Sequence, residues 1–298
     1  MQKQKIGWIG LGVMGYSMAS NLLESDYELY VFTRTKSKAE QICKRGARWL
    51  DSPGEIANAV DVIITMVGYP KDVEEVYFGP NGIFGKVKSG TVLIDMTTSC
   101  PELAIKISKK ASELNADSLD APVSGGDIGA RNASLAIMCG GKKDIFDKII
   151  PIFESVGKNI QLFGEAGSGQ RVKLSNQIVI ASTMIGVVEA LVYAERTGLN
   201  LKQVIQLVGK GAAGCWSINE LGPRMAEGNF EPGFYVKHFI KDMEIALQDS
   251  KKLGLDLKGL NLVKKLYDQV NTLGYGEKGT QVLYRAVKQL NKESDTTP

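Results

Sequence analysis

Lys5-Ile6-Gly7-Trp8-Ile9-Gly10-Leu11-Gly12-Val13-Met14-Gly15 decides the fold. The apolar run Lys5–Gly10 reads as a buried strand, and Met14–Glu24 reads as a helix directly after it. Gly10, Gly12 and Gly15 fall at the junction, the setting in which G-x-G-x-x-G holds a dinucleotide. The first glycine permits a tight turn, the second lets a pyrophosphate approach the backbone, and the third allows close helix–strand packing. The helix start then offers free N–H groups to the anion. A glycine-rich turn alone is often only a turn. Here a second strand, Glu28–Thr33, completes the strand–loop–helix–strand unit, so Gly10, Leu11, Gly12, Val13, Met14 and Gly15 are expected to line the cofactor.

The end of that second strand bears on which dinucleotide fits. An acid about 20 residues past the glycines would hold the ribose 2′-hydroxyl of NAD. The stretch Val31-Phe32-Thr33-Arg34-Thr35-Lys36-Ser37-Lys38 carries none. Arg34 and a lysine such as Lys38, with Thr33 and Thr35 beside them, suit a 2′-phosphate, because the guanidinium fork matches phosphate geometry. NADP is therefore expected, with NAD as the alternative. The competing reading is a solvated basic start to the next helix.

Outward from this unit, Val60–Val67, Thr91–Thr97, Ser118–Val123 and Leu135–Cys139 are short apolar runs bounded by turn residues. Pro101–Leu114 has helical periodicity, and Ser99-Cys100-Pro101-Glu102 reads as a capping box that opens it. Such alternation predicts a mostly parallel sheet covered on both faces. Past Gly164 the strand signal stops. Helices are expected at Gln170–Thr197, with Gly198 as its C-cap, and at Leu201–Val208, Trp216–Ala226, Val236–Leu253, Leu260–Thr272 and Thr280–Leu290. The first of these is apolar almost all round, which predicts burial between domains or subunits. The tail Asn291–Pro298 is polar and expected to fray. The fold class is thus α/β: a Rossmann-type domain over 1–164, then an all-α domain over 165–298.

Composition narrows the function. The 298 residues are 44% hydrophobic and 23% charged, with a net charge of +3, ordinary values for a globular chain. The charge is too small for a nucleic-acid face but suits small anions. Cys43, Cys100, Cys139 and Cys215 form no C-x-x-C pair, and His238 is the sole histidine, so no metal site is expected. Isolated thiols, no visible signal segment and no apolar run long enough to span a bilayer (Ile178–Val188 is interrupted by Ser182, Thr183 and Gly186) predict a cytoplasmic protein without membrane contact.

Four ordered segments resemble the β-hydroxyacid dehydrogenase family, which includes 3-hydroxyisobutyrate dehydrogenase, tartronate semialdehyde reductase and glyoxylate/succinic semialdehyde reductases. They are Gly10–Gly15 with Met18-Ala19 and Asn21-Leu22; Asp120-Ala-Pro-Val-Ser-Gly-Gly126; Gly167-Ser-Gly-Gln-Arg-Val-Lys173-Leu-Ser-Asn176-Gln177; and His238-Phe-Ile-Lys241-Asp242. The resemblance covers almost the whole chain. It implies Lys173 as the catalytic acid/base, Asn176 as its helper, and Ser124, Gly125 and Gly126 as the clasp for a substrate carboxylate. It also implies cofactor contacts from Thr98 and Lys241, and a homodimer or homotetramer.

The residues support these roles physically. A hydroxyl and a loop N–H pair suit a carboxylate. An ammonium in an apolar helix is costly without a task, although a snorkelling lysine is the bland alternative. Asn176 lies three residues past Lys173 and so shares its helical face. Gln177 stands where some relatives carry Asn, as in the tartronate semialdehyde reductase pattern. Thr33 stands where NAD-using relatives have Asp, and Asn132 replaces a glycine common there. The expected activity is hydride transfer between NADP(H) and a small carboxylate-bearing hydroxy acid or aldehyde. A 6-phosphogluconate-type decarboxylase would need a larger helical domain, and imine reductases normally lack the lysine. A non-catalytic dinucleotide-binding module is the contrasting possibility.

Overall fold

The computed structural model describes residues 4–294. The chain divides into two compact units, Met1–Lys173 and Leu174–Pro298. The division falls inside a helix, nine residues past the 164/165 boundary expected from the end of the strand signal.

In the first unit, strands β1 (Lys5–Ile9), β2 (Glu28–Phe32), β3 (Arg48–Trp49), β4 (Val62–Thr65), β5 (Val92–Asp95), β6 (Asp117–Asp120), β7 (Val123–Ser124), β8 (Leu135–Gly141) and β9 (Gly157–Leu162) form one sheet. Its order is β3-β2-β1-β4-β5-β6-β8-β7, with β9 paired to β8. β3 through β6 run parallel, whereas β8 is antiparallel to β6 and β7. Buried on both faces, the parallel strands need no polar alternation. Ile6, Trp8, Val31, Ile64 and Ile94 enter one core cluster, and Ile9, Tyr30, Ile63 and Leu93 enter another. Helices α1 (Val13–Glu24), α2 (Glu40–Lys44), α3 (Pro53–Ala59), α4 (Pro70–Phe78), α5 (Pro101–Glu113), α6 (Gly126–Arg131) and α7 (Lys143–Glu154) connect the strands.

Three expectations change here. The run Ser118–Val123 is two short strands with Ala121 and Pro122 between them, since proline cannot continue a ladder. Arg48–Trp49 is an additional edge strand, so Thr98 follows the fifth strand and not the fourth. Ser99 does not cap α5: the N-cap is Cys100, without a side-chain hydrogen bond, and the Ser99 N–H, which a capping box would pair with Glu102, is bonded to Gln170.

The second unit is helical. It is built on α8 (Ser168–Arg196), which begins in the first unit, with α9 (Leu201–Val208), α10 (Gly222–Ala226), α11 (Val236–Lys252), α12 (Lys258–Val270) and α13 (Leu283–Ser294). Gly198 takes a φ of +78°, the left-handed conformation a helix stop favours. Two expected helices are interrupted by wider π turns, at Ser217–Leu221 and Asn271–Tyr275. α8 has 29 residues and by length and composition could cross a membrane, contrary to the expectation from the Ile178–Val188 run alone. Ala181, Met184, Val188 and Leu191 are buried, but Val179 is 61% exposed and Tyr193 70%. The helix is therefore covered on one side only within the chain. Of the tail Asn291–Pro298, residues 295–298 lie outside the described residues.

Candidate active site

Gly10, Thr33, Thr98 and Ser124 follow the carboxyl ends of strands, the edge where open α/β sheets bind ligands. Gly10 leaves β1, Thr33 leaves β2, Thr97 and Thr98 follow β5, and Ser124 lies just past β6. β1 pairs with β2 on one side and β4 on the other, so the glycine loop stands where the strand order reverses.

The three glycines have separable reasons. Gly10 has a φ of +103°, and a Cβ there would strike the Met66 carbonyl oxygen. A Cβ on Gly15 would strike the Gly10 carbonyl oxygen, so the third glycine lets α1 close onto the loop. The Trp8 indole N–H donates to that same carbonyl at 2.8 Å. Gly12 has nothing within 4 Å of a built Cβ, an ordinary extended φ of −77°, and no structural need to be glycine. It caps α1 without a side-chain hydrogen bond, and no acid occupies the first turn. An open backbone cradle at the positive end of a helix fits the pyrophosphate of a dinucleotide. Leu11 is buried, Val13 is 43% exposed, and Met14 is partly buried against the core.

At the end of β2, Thr33 is half-buried and Arg34, Thr35 and Lys38 are exposed. Arg34 Nη1 meets Asp72 Oδ1 at 2.9 Å. Asp72 also accepts the Tyr69 N–H at 3.1 Å, which ties Arg34 to the start of α4. The pairing steadies the guanidinium while its side chain stays 81% exposed, with donors left for an anion.

Gly125 caps α6 with a φ of +130°, and Gly126 opens it with a φ of +62°. The Asn21 amide of α1 donates to the Ala130 carbonyl at 2.8 Å, which joins the Ser124-Gly125-Gly126 segment to the glycine-loop helix.

Two residues that were not singled out in the sequence hold the start of α8. Asp120, at the end of β6 and 3% exposed, accepts the Gly167 N–H through Oδ1 at 2.7 Å and the Gln170 N–H through Oδ2 at 2.8 Å. Burial raises its carboxyl pKa against the lowering effect of these N–H bonds. Gln170, fully buried, accepts the Ser99 N–H at 2.9 Å and donates to the Thr97 carbonyl at 2.8 Å. Its amide thus brackets Thr98 from both sides. One turn along α8, Lys173 is 6% exposed. The bracket fastens the helix that carries Lys173 to the loop that carries Thr98. The detectable signal was a glutamine amid small residues at a helix start, next to a carboxylate ending a strand.

A second carboxylate, Asp95, ends β5 in register with Asp120. Its Oδ1 accepts the Thr65 hydroxyl at 2.7 Å and the Thr97 N–H at 3.1 Å, and burial pushes its pKa up to about 6. The Thr97 hydroxyl in turn accepts the Val67 N–H at 3.0 Å, so the turns after β4 and β5 share one polar bracket.

In the second unit, Asn176 donates to Gln177, which donates to Asp242. Lys241 is not an open cation: its Nζ lies 3.0 Å from Asp242 Oδ1. His238, one turn earlier on α11, is held down to a pKa of about 4 by burial, with Lys241 and Lys237 adding to the effect. At neutral pH it is uncharged.

Residues 5–164 match the family model for the NAD-binding domain of 6-phosphogluconate dehydrogenase. Residues 167–287 match that for the NAD-binding domain of NADP-dependent 3-hydroxyisobutyrate dehydrogenase. The chain is 56% identical to the uncharacterized oxidoreductase YkwC of Bacillus subtilis, over 95% of this chain and 98% of that one. It is 36% identical to 2-hydroxy-3-oxopropionate reductase of Escherichia coli, over 96% and 98%. It superimposes on Mycobacterium tuberculosis 3-hydroxyisobutyrate dehydrogenase with L-serine at a TM-score of 0.86 and 26% identity, covering 96% of this chain and 99% of that one. Fold, glycine cradle and relatives together define an oxidoreductase that uses a nicotinamide dinucleotide. Within that class the chain belongs to the β-hydroxyacid dehydrogenase family, and it is of the 3-hydroxyisobutyrate dehydrogenase-like kind.

Proposed function

We propose that the protein reduces a small aldehyde or 2-oxo acid bearing a carboxylate, with NADPH as donor and Lys173 as the acid. The observation that carries this reading is a buried lysine one turn into a helix whose start is bonded to the Thr97–Ser99 turn. Reduced nicotinamide supplies the hydride when bound. The chain's part is to hold the carbonyl and to deliver a proton from Lys173 Nζ to the oxygen as negative charge develops there. The neutral amine then regains its proton from solvent. In the oxidation direction it accepts the proton of the hydroxyl.

Ser124, Gly125 and Gly126 would take the substrate carboxylate through hydroxyl and backbone N–H donors, and Asn176 would orient the reacting oxygen or the lysine. Lys241 would reach the cofactor as an ion-paired cation. The exposed Arg34, steadied by Asp72, and the absence of an acid at Thr33 favour NADP over NAD. The named activity of the Escherichia coli relative makes tartronate semialdehyde a reasonable first substrate. A homodimer or homotetramer is proposed from the exposed stripe of α8, where Val179, Ser182, Gly186 and Tyr193 share one face. Light scattering on a size-exclusion column checks that assembly.

The test is NADPH and NADH oxidation with glyoxylate, succinic semialdehyde, tartronate semialdehyde and methylmalonate semialdehyde. Turnover with NADPH that falls about 10²–10⁴-fold in Lys173→Ala, while NADPH still binds, is the expected result. Full activity in Lys173→Ala would overturn the assignment of the acid. Tight NADPH binding without turnover of any of the four would favour a binding module instead.

A further inference from the structure

The polar chain in the second unit has a direction, and the direction is set by a charge. Asp242, on α11 and 1% exposed, is ion-paired with Lys241 at 3.0 Å. A carboxylate in such a pair only accepts hydrogen bonds. Gln177, on α8 and also 1% exposed, must therefore turn its NH₂ group towards Asp242, and the Nε2–Oδ2 distance is 2.7 Å. Its Oε1 is then the end that faces Asn176. Being an acceptor, it requires the NH₂ of Asn176, whose Nδ2 lies 2.8 Å away. Flipping either amide would set oxygen against oxygen, at a fully buried contact for Gln177 and a partly buried one for Asn176, where mismatched polar groups are costly.

We propose that Gln177 is a positioning residue that fixes the amide of Asn176, with its NH₂ end bonded inward and its Oδ1 as the acceptor end, and that Asp242 dictates this polarity. The proposal rests on the reading of Asn176 as part of the active site. It refines that reading in one respect: an acceptor suits the proton of a hydroxyl or of an ammonium, and repels a carboxylate. Asn176 would therefore serve the reacting oxygen or the general acid, and the carboxylate of the substrate is left to donors elsewhere. Lys241, assigned to the cofactor by resemblance, would be the far end of the same chain.

Two readouts on the intact protein separate the proposal from the function it rests on. The first uses protein labelled with ¹⁵N at asparagine, in which the side-chain signals absent from Asn176→Ala identify the Asn176 amide. Gln177→Met, which keeps shape and removes both hydrogen bonds, is expected to move those signals to the range of water-exposed amides. The second is steady-state turnover of NADPH with the best of the four aldehydes above. Gln177→Met is expected to lower kcat roughly 10- to 100-fold, as misplacement of a reacting group does, while KM for NADPH stays unchanged. The same substitution in an Asn176→Ala background is expected to cost nothing further. Unmoved Asn176 signals in Gln177→Met would overturn the proposal, as would an equal further loss in the Asn176→Ala background. Full turnover in Asn176→Ala would instead refute the active-site role of Asn176, with the amide signals still deciding whether the chain exists.

Discussion

Asp95 makes stability depend on pH in a direction opposite to most carboxylates. Its carboxyl ends β5 at 4% exposure, and burial lifts its pKa from about 3.8 to about 6. The folded protein thus binds this proton more tightly than the unfolded chain does. The contribution is complete below about pH 3.8 and is lost as pH rises through the window to about 6. A gap of about 2 pH units at ~1.4 kcal/mol each gives about 3 kcal/mol, of which ~2 kcal/mol should be lost between about pH 4 and pH 7. Asp95→Asn keeps an oxygen for the Thr65 hydroxyl and the Thr97 N–H but cannot ionise. Its absolute stability carries a fixed offset from the new NH₂ group, and only the pH dependence matters. Urea unfolding should show the variant gaining ~2 kcal/mol on the parent between about pH 4 and pH 7. Trp8 and Trp49 belong to the first unit and Trp216 to the second, so a Trp216→Phe background lets fluorescence report the unit that holds Asp95. A difference that stays flat with pH, or that moves against the variant as pH rises, would refute the reasoning.

The glycine loop predicts a split between folding and binding. Gly12→Ala should melt within about a degree of the parent yet bind NADPH at least about tenfold more weakly in a fluorescence titration, because only the ligand needs that space. Gly15→Ala should be destabilised by about 2 kcal/mol or more in thermal melts, since backbone would meet backbone. Gln170→Met leaves the Ser99 N–H and the Thr97 carbonyl unpaired, at about 1–3 kcal/mol each; a lowered denaturation midpoint together with a raised KM for NADPH would show that the bracket supports the cofactor turn. His238, the sole histidine, should give one imidazole C2 proton signal in NMR with a midpoint near about 4. Its folded pKa lies below the unfolded value, so stability present above about pH 6.5 is lost as pH falls towards 4; a midpoint near 6.5 would contradict the burial described.

Where sequence reading succeeded, the reason was local. Gly10, Gly12 and Gly15 sit between a strand and a helix within ten residues, so the motif is visible in one short stretch, and Gly15 is set by the Gly10 carbonyl five positions away. Leu201–Val208 forms as expected, with the Asn200 side chain capping its start and Gly209 following its end. Where it fell short, the deciding partner was distant. Ser99 looked like a cap because its neighbours in sequence allowed one, but its N–H is claimed by Gln170, 71 positions on. Arg34 was legible as an anion donor, but the partner that steadies it, Asp72 at the start of α4, lies 38 positions on. The apolar character of α8 was plain, but Val179 and Tyr193 stay exposed because burial depends on which neighbours arrive.

The remote cap on α8 also sets a point in synthesis before which the nucleotide-binding half cannot be finished. As the chain leaves the ribosome, the strands of the sheet are all present once Leu162 has emerged. Asp120 at that moment is a carboxylate enclosed by the sheet with its Gly167 and Gln170 partners still inside the exit tunnel, and Thr98 lacks its bracket. A fragment cut at the end of the last strand would keep that defect permanently. One cut after Lys173 would carry its own cap, which uses the first turn and a half of a helix whose remaining length belongs to the other unit.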